Sequence, residues 1–332
     1  MKNDKGFIGG IKGWQYYIED LLDDYGEYLE AVNRSKKTIT GYMDSLVGFS
    51  KFLRQSNLHK PIYDLGRSEL QSYVLHLKGR DRWADNLRIS KGGKLSAYTV
   101  FAYVRDIKVF WNWLKKERYI NRNPLASFPL PKVPKLVMPT LNHGQIKKLL
   151  GAIDRSTPRG SMYYSIIVLF LDTGIRLSGL INVKLKDINL DGKYIKVWGK
   201  GQKERLVPIV SVTRKLLVDY INNHRSKLCH AESEYLYPNQ TGGAIPANTV
   251  EQFFRRLAKA CGLDDIKFSP HVLRHTFATN SVANGANIET LRNILGHESI
   301  QTTVKYTHMR PEDIKKQHSR FSPVAKLFLS KS

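Results

Sequence analysis

Three short segments of the sequence concentrate side chains that can bind or activate a phosphodiester. They are TGIRLS at 173–178, HVLRH at 271–275, and the stretch 295–308, which contains LGHE and TTVKYTH. His271 and Arg274 lie three positions apart on a predicted helix, so both side chains can face one point. Cleaving a phosphodiester by transesterification requires charge neutralisation, a nucleophile and an acid for the leaving oxygen.

Arginine, histidine and tyrosine side chains have separate tasks in this chemistry. The guanidiniums of Arg176 and Arg274 can grip the nonbridging oxygens bidentately and stabilise the charge that grows in the transition state. A tyrosine hydroxyl is a poor nucleophile at its ordinary pKa of about 10, so it needs a nearby base or a strongly positive pocket. His271 can accept its proton, and His297 can hydrogen-bond a phosphate oxygen.

A predicted β-hairpin supplies the acid for the leaving oxygen. Strand-like runs at Tyr194–Trp198 and Arg205–Ile209 flank the sequence GKGQK, whose glycines permit a tight reversal. Lys200 lies between those glycines and is the preferred proton donor, provided that neighbouring arginines lower its pKa. Lys203 is its nearest competitor.

Composition indicates a polyanionic partner, and the sequence contains no motif that is typical of a metal or nucleotide site. The 332 residues include 53 Lys plus Arg against 29 Asp plus Glu, a formal net charge of +24. Cys229 and Cys261 lack metal-ligand spacing, and the chain has neither a P-loop nor a carboxylate cluster for magnesium. No apolar run reaches the roughly 18 residues of a membrane span. The start does not resemble a signal peptide, so we expect a cytoplasmic protein.

Helical periodicity dominates the first part of the chain. An acidic amphipathic helix is predicted at 14–32, where it either presents a solvated face or packs on its own domain or another protomer. Further helices are predicted at 38–54, 68–77 and 96–119, which together indicate a helical bundle.

A basic loop joins the last two of these helices. Its cations suit contact with DNA phosphates, and a solvated surface is the equal alternative. The candidate DNA-binding residues are Arg80, Arg82, Arg88, Lys91 and Lys94.

Prolines then mark a boundary between two domains. We divide the chain into an acidic helical extension (1–32), a helical domain (33–122), a proline-rich linker (123–139) and a second domain with a C-terminal tail (140–332). The second domain is predicted to contain the hairpin and several helices. These lie after Thr140 and at 161–171, 213–224, 249–261, 270–284, 288–295 and 299–306. The fold class is therefore mainly α, with a small β-sheet or hairpin in the second domain.

This combination resembles the tyrosine recombinase, or phage integrase, family. The residues that carry the resemblance are Arg176, Lys200, the pair His271 and Arg274, His297 and Tyr306, in the family's order and spacing across the second domain. The helical first domain with its basic loop is similar to the family's core-binding domain. The resemblance implies an α+β catalytic domain behind a helical core-binding bundle.

The resemblance also implies an activity and partners. Tyr306 would attack the scissile phosphate of double-stranded DNA and form a 3′-phosphotyrosyl link, without a metal or cofactor. The protein would bind one site as a homodimer and join two sites as a synaptic tetramer. The tail would then dock on a neighbouring subunit, or alternatively pack in cis. Chromosome dimer resolution, phage integration and transposon movement all remain open as the biological task.

One departure from the family pattern is Gly179, which stands where an acidic residue usually follows the motif's serine. The missing carboxylate puts the fine positioning of the pocket in question, unless Asp172 or another group replaces it. Two rival functions are therefore kept: strand relaxation like that of a type IB topoisomerase, and a DNA-binding architectural protein with weakened catalysis.

Overall fold

The computed structural model describes residues 16–81, 93–134, 139–198, 204–263, 265–284, 286–296, 318–319, 322–324 and 327. The chain divides into two compact units, Met1–Leu136 and Val137–Ser332. The predicted fold class is confirmed, because helices dominate both units and a small antiparallel sheet lies in the second. No described helix is long and apolar enough to cross a membrane.

The described part of the first unit is a bundle of four α-helices. They are α1 (Leu22–Ala31), α2 (Lys36–Gln55), α3 (Arg67–Gly79) and α4 (Ala97–Lys116). Serine caps set the starts of the two long helices: Ser35 accepts from the Thr38 N–H at 3.2 Å, and Ser96 accepts from the Thr99 N–H at 3.1 Å. The predicted helices at 38–54, 68–77 and 96–119 match α2, α3 and α4 to within about three residues.

The acidic helix belongs to the core of the first unit. It begins as a 3-10 turn (Glu19–Leu21) and continues as α1. Leu21, Tyr25 and Leu29 are each at most 3% exposed and pack in the same hydrophobic cluster as Phe49 of α2. The sequence left open a solvated face, packing on its own domain and packing on another protomer. In the structure the helix packs against its own unit.

The second unit is built around one buried helix. Its described α-helices are α5 (His143–Gly151), α6 (Pro158–Thr173), α7 (Leu177–Ile181), α8 (Ser211–Asp219), α9 (Ala247–Ala260), α10 (Pro270–Ala283) and α11 (Ile288–Leu295). Helix α6 is apolar on nearly all sides, which is typical of a central helix, and it packs against α10. The predicted helix at 213–224 is α8 continued by a π-helical turn (Tyr220–His224). The predicted helix at 299–306 lies outside the described residues.

The sheet of the second unit has three antiparallel strands in the order β1-β2-β3. They are β1 (Ile188–Asn189), β2 (Tyr194–Trp198) and β3 (Glu204–Pro208). The predicted hairpin corresponds to β2 and β3, although β3 begins one residue earlier than predicted. Strand β1 and the five-residue helix α7 were not predicted, because elements this short show too few periods of alternation.

Candidate active site

Arg274 is held by two backbone carbonyls of the second unit. It lies on α10, whose first turn is capped by the side chain of Ser269. Its side chain is buried, with 8% exposed. Nη1 donates to the carbonyl oxygen of Gly174, and Nη2 donates to that of Leu295 at 2.9 Å. These two bonds fix the orientation of the guanidinium.

Arg176 reaches the same place because α6 ends abruptly. The helix is terminated by Gly174 in the left-handed conformation, with a φ of 57°. A Cβ at Gly174 would lie only 2.4 Å from Cδ1 of Phe277. Both the left-handed backbone and the lack of space therefore require glycine at this position. Arg176 follows as the residue that precedes α7, and its Nη1 donates to the Leu295 carbonyl oxygen at 3.4 Å. The last carbonyl of α11 thus receives both arginines that the sequence predicted.

Arg205 is a third arginine near Arg176 and Arg274. It was not among the predicted site residues. It pairs with Val197 across the hairpin, and Ile195 pairs with Val207. Paired residues share one face of a sheet, so Arg205 lies on the same face as three apolar side chains that are each at most 2% exposed. The sequence did contain a signal for this position. The alternation along β3 places the charged Arg205 on the face that points to the core, whereas the apolar Leu206 lies on the exposed face.

The three guanidiniums raise one another's electrostatic energy. Burial, followed by the charges of Arg176 and Arg205, lowers the pKa of Arg274 to about 9. Burial, followed by the charge of Arg176, lowers the pKa of Arg205 to about 10. Both groups therefore stay charged at neutral pH. Among the described residues, no carboxylate forms an ion pair with any of the three, so the cluster is strongly positive and its free N–H donors can bind an anion.

The other predicted catalytic residues are only partly within the described chain. His271 lies on α10, one turn before Arg274, and its side chain is exposed. Lys200, His297 and Tyr306 lie outside the described residues, so their places in the site stay predictions.

Asp172 holds the C-terminal tail rather than the arginines. It is fully buried, its Oδ2 accepts from the Val210 N–H at 3.0 Å, and its Oδ1 accepts from the Ser322 hydroxyl at 2.6 Å. His318 Nε2 lies 2.6 Å from the Asp172 carbonyl oxygen. The described tail residues therefore pack in cis in this single chain. Asp172 had been suggested as a substitute for the acidic residue that is missing at position 179. Its described hydrogen bonds go to Val210, Ser322 and His318, and none of them goes to an arginine of the site.

Replacing Asp172 with alanine is expected to lower the stability of the second unit. The change leaves the buried Val210 N–H and the buried Ser322 hydroxyl without their acceptor, which costs about 3 kcal/mol in all. Calorimetry of the unfolding transition measures the loss. Asp172→Asn is the matched control, since it keeps the shape and one acceptor oxygen and should lose less. Wild-type stability in Asp172→Ala would show that the tail is not held by this carboxylate.

The basic loop of the first unit is described only at its base. Asp81 and Lys94 form an isolated antiparallel bridge, and Lys94 Nζ lies 3.1 Å from Asp81 Oδ1 and donates to the Gly79 carbonyl oxygen at 2.5 Å. Arg80 is the C-cap residue that follows α3. An exposed ion pair like that of Lys94 contributes little to stability. Arg82, Arg88 and Lys91 lie outside the described residues.

A protein-family model matches the part of the chain that contains both Arg176 and Arg274. The model of the phage integrase family matches residues 139–313, which is more than half of the chain.

Curated relatives match over nearly the whole length, as two examples show. Tyrosine recombinase XerC of Bacillus licheniformis is 30% identical over 314 residues, which cover 93% of this chain and 98% of that protein. Tyrosine recombinase XerD of Listeria innocua is 27% identical over 311 residues, which cover 93% of this chain and 100% of that protein.

Among solved structures, the Tn1549 transposon integrase in complex with transposon right end DNA is similar in fold. Its TM-score is 0.69 at 21% identity, and the match covers 92% of this chain and 99% of that one.

Proposed function

This chain belongs to the phage integrase family of tyrosine recombinases, and we propose that it cleaves and rejoins DNA at specific sites through a 3′-phosphotyrosyl intermediate on Tyr306. The observation that carries the proposal is the cluster of Arg176, Arg205 and Arg274 at the end of α11. Three charged guanidiniums without a described acidic partner need an anion, and a DNA phosphodiester is the anion on which the relatives' named activity depends.

Arg176 and Arg274 bind the nonbridging oxygens of the scissile phosphate. Because Arg274 is already held by the Gly174 and Leu295 carbonyls, little reorganisation is needed when charge develops on the phosphate. Each guanidinium has five N–H donors, so those that the carbonyls leave unused remain for the phosphate. The low-dielectric surroundings of a buried arginine strengthen this interaction further.

Strand cleavage is a balanced transesterification. The Tyr306 oxygen attacks phosphorus while His271 accepts the phenolic proton, and the bond from phosphorus to the 5′-oxygen breaks. Lys200 gives its proton to that departing oxygen, and His297 donates a hydrogen bond to the phosphate. The phosphotyrosyl bond conserves the energy of the phosphodiester. A 5′-hydroxyl from another strand can therefore reverse the reaction and join two sites.

The remaining tasks are assigned by region. We assign DNA binding to residues 33–122, including Arg80, Arg82, Arg88, Lys91 and Lys94, and catalysis to residues 140–332. The partners are double-stranded DNA and further copies of the chain, as a dimer on one site and a tetramer in synapsis. We place the activity in the cytoplasm, where the DNA of bacteria such as those of the relatives lies.

A nicked suicide substrate tests the proposal. The target is first recovered by sequencing the DNA that cross-links to the protein in its own cell. A nick close to the scissile phosphate lets the cleaved fragment diffuse away, so a recombinase is trapped as a covalent adduct. Binding without any adduct would instead favour the architectural protein with weakened catalysis.

A second assay separates recombination from strand relaxation. Two copies of the recovered site on one plasmid should yield deletion or inversion products that depend on both copies. A type IB topoisomerase would relax supercoiled plasmid without site dependence and form no such products.

A further inference from the structure

Arg205 has the surroundings of a ligand-binding arginine. It is half-buried on β3, facing the turn that follows α11. A Cβ at Gly296 would lie 1.9 Å from Arg205 Nη1, so the guanidinium lies directly against the backbone of that turn. Gly296 has a φ of 62° and ends α11 immediately after Leu295, the residue whose carbonyl receives both Arg176 and Arg274. Arg205 therefore lies at the same helix end as the predicted pair.

The hydrogen bonding of Arg205 differs from that of a structural arginine. Its Nε is buried and has no hydrogen-bond partner within the described part of the chain. Arg225, which is half-buried in the same unit, shows the alternative. Its Nε donates to the Tyr235 carbonyl oxygen at 2.9 Å, and its Nη2 donates to the Ser233 carbonyl oxygen at 2.5 Å. Backbone carbonyls thus accept hydrogen bonds from the Arg225 guanidinium. The charged group that acts on Arg205 is instead another cation, Arg176.

From this geometry we infer that Arg205 is a third phosphate-binding arginine and a catalytic residue of the strand cleavage proposed above, on which the inference rests. Burying a charge beside two like charges lowers the stability of the free protein. A protein retains such a destabilising arrangement where the binding of an oppositely charged ligand offsets it. The scissile phosphate supplies that compensation. Arg205 then stabilises the charge that develops on the phosphate oxygens, together with Arg176 and Arg274.

The substitution Arg205→Met separates this role from a structural one. Methionine fills a similar volume without charge, so the DNA-free variant should unfold at the same temperature as wild type or higher. Cleavage of a nicked site under single-turnover conditions should be slower by about 10²-fold, the loss typical of one oxyanion donor. Binding of the site should change little, because affinity is spread over many phosphates. The matched control Arg225→Met removes a structural arginine and should instead lower the unfolding temperature.

A neutral phosphate gives the decisive readout. In a site with a methylphosphonate at the scissile position, one nonbridging oxygen and its charge are removed, so an arginine that neutralises this charge matters less. The rate difference between wild type and Arg205→Met should therefore narrow on this substrate. Equal slowing on both substrates, or wild-type cleavage by Arg205→Met, would overturn the inference. Absence of an adduct with the wild-type chain would contradict the proposed function itself, so the two failures are distinguishable.

Discussion

Tyr306→Phe is expected to abolish covalent trapping on a nicked site while leaving recognition of that site unchanged. The substitution removes only the hydroxyl oxygen that attacks phosphorus and keeps the aromatic ring. Loss of a catalytic nucleophile lowers the rate by at least about 10⁴-fold, which is below detection in a gel assay of the adduct. Affinity for DNA should stay within about twofold of wild type, because phosphate contacts dominate it.

The control for this prediction is another tyrosine of the same unit. Tyr235 lies beneath the Lys184 ammonium, which is 5.7 Å from its ring centre, and Tyr235→Phe keeps that ring. This variant should form the adduct at the wild-type rate. An adduct in Tyr306→Phe would show that a different side chain is the nucleophile. The peptide that remains attached to DNA after proteolysis would then identify it.

Arg274→Ala and Arg176→Ala are expected to give the second-largest effects. Each should slow strand cleavage by about 10²- to 10³-fold, because each removes a donor from the charge that grows on the phosphate. Site binding should be largely intact, since either arginine is one of many cations on the DNA surface. Single-turnover cleavage and a binding titration on the same nicked site measure the two quantities side by side.

Arg274→Lys refines this prediction. Lysine keeps the charge but lacks the planar fork with which Arg274 reaches the Gly174 and Leu295 carbonyls. We therefore expect Arg274→Lys to cleave far more slowly than wild type. A nearly active lysine variant would mean that charge alone matters and that the carbonyl bonds do not orient the group. If binding fell as much as cleavage in the alanine variants, the arginines would serve DNA affinity and not catalysis.

Local sequence patterns predicted most of the backbone. The apolar spacing along α2 to α4 and the glycines between the strand-like runs predict helices and a hairpin close to where the structure has them. These features act over a few residues, so they can be read without knowledge of the fold. The same holds for His271 and Arg274, which lie one helical turn apart.

The predicted catalytic set came from residue types and family resemblance, and the described chain brings together Arg176 and Arg274 from that set. Their meeting point, the Leu295 carbonyl, was not predicted. Nor were the bonds of Asp172 to Ser322 and to Val210, which occupy the carboxylate that the sequence had suggested as a substitute for an acidic residue at 179. A backbone carbonyl carries no signature in the sequence, and a buried aspartate can face any of several neighbours.

By itself, the sequence determined the longer helices, the hairpin, the strong positive charge and the choice of Arg176 and Arg274 as candidate site residues. Only the tertiary structure decided that Arg205 joins them. Its side chain shares the face of Val197 on the hairpin, and the close packing of Gly296 against it depends on how α11 meets β3. The physical reason is range: capping and periodicity act between near neighbours in the chain, whereas a charge cluster forms between segments that packing brings together.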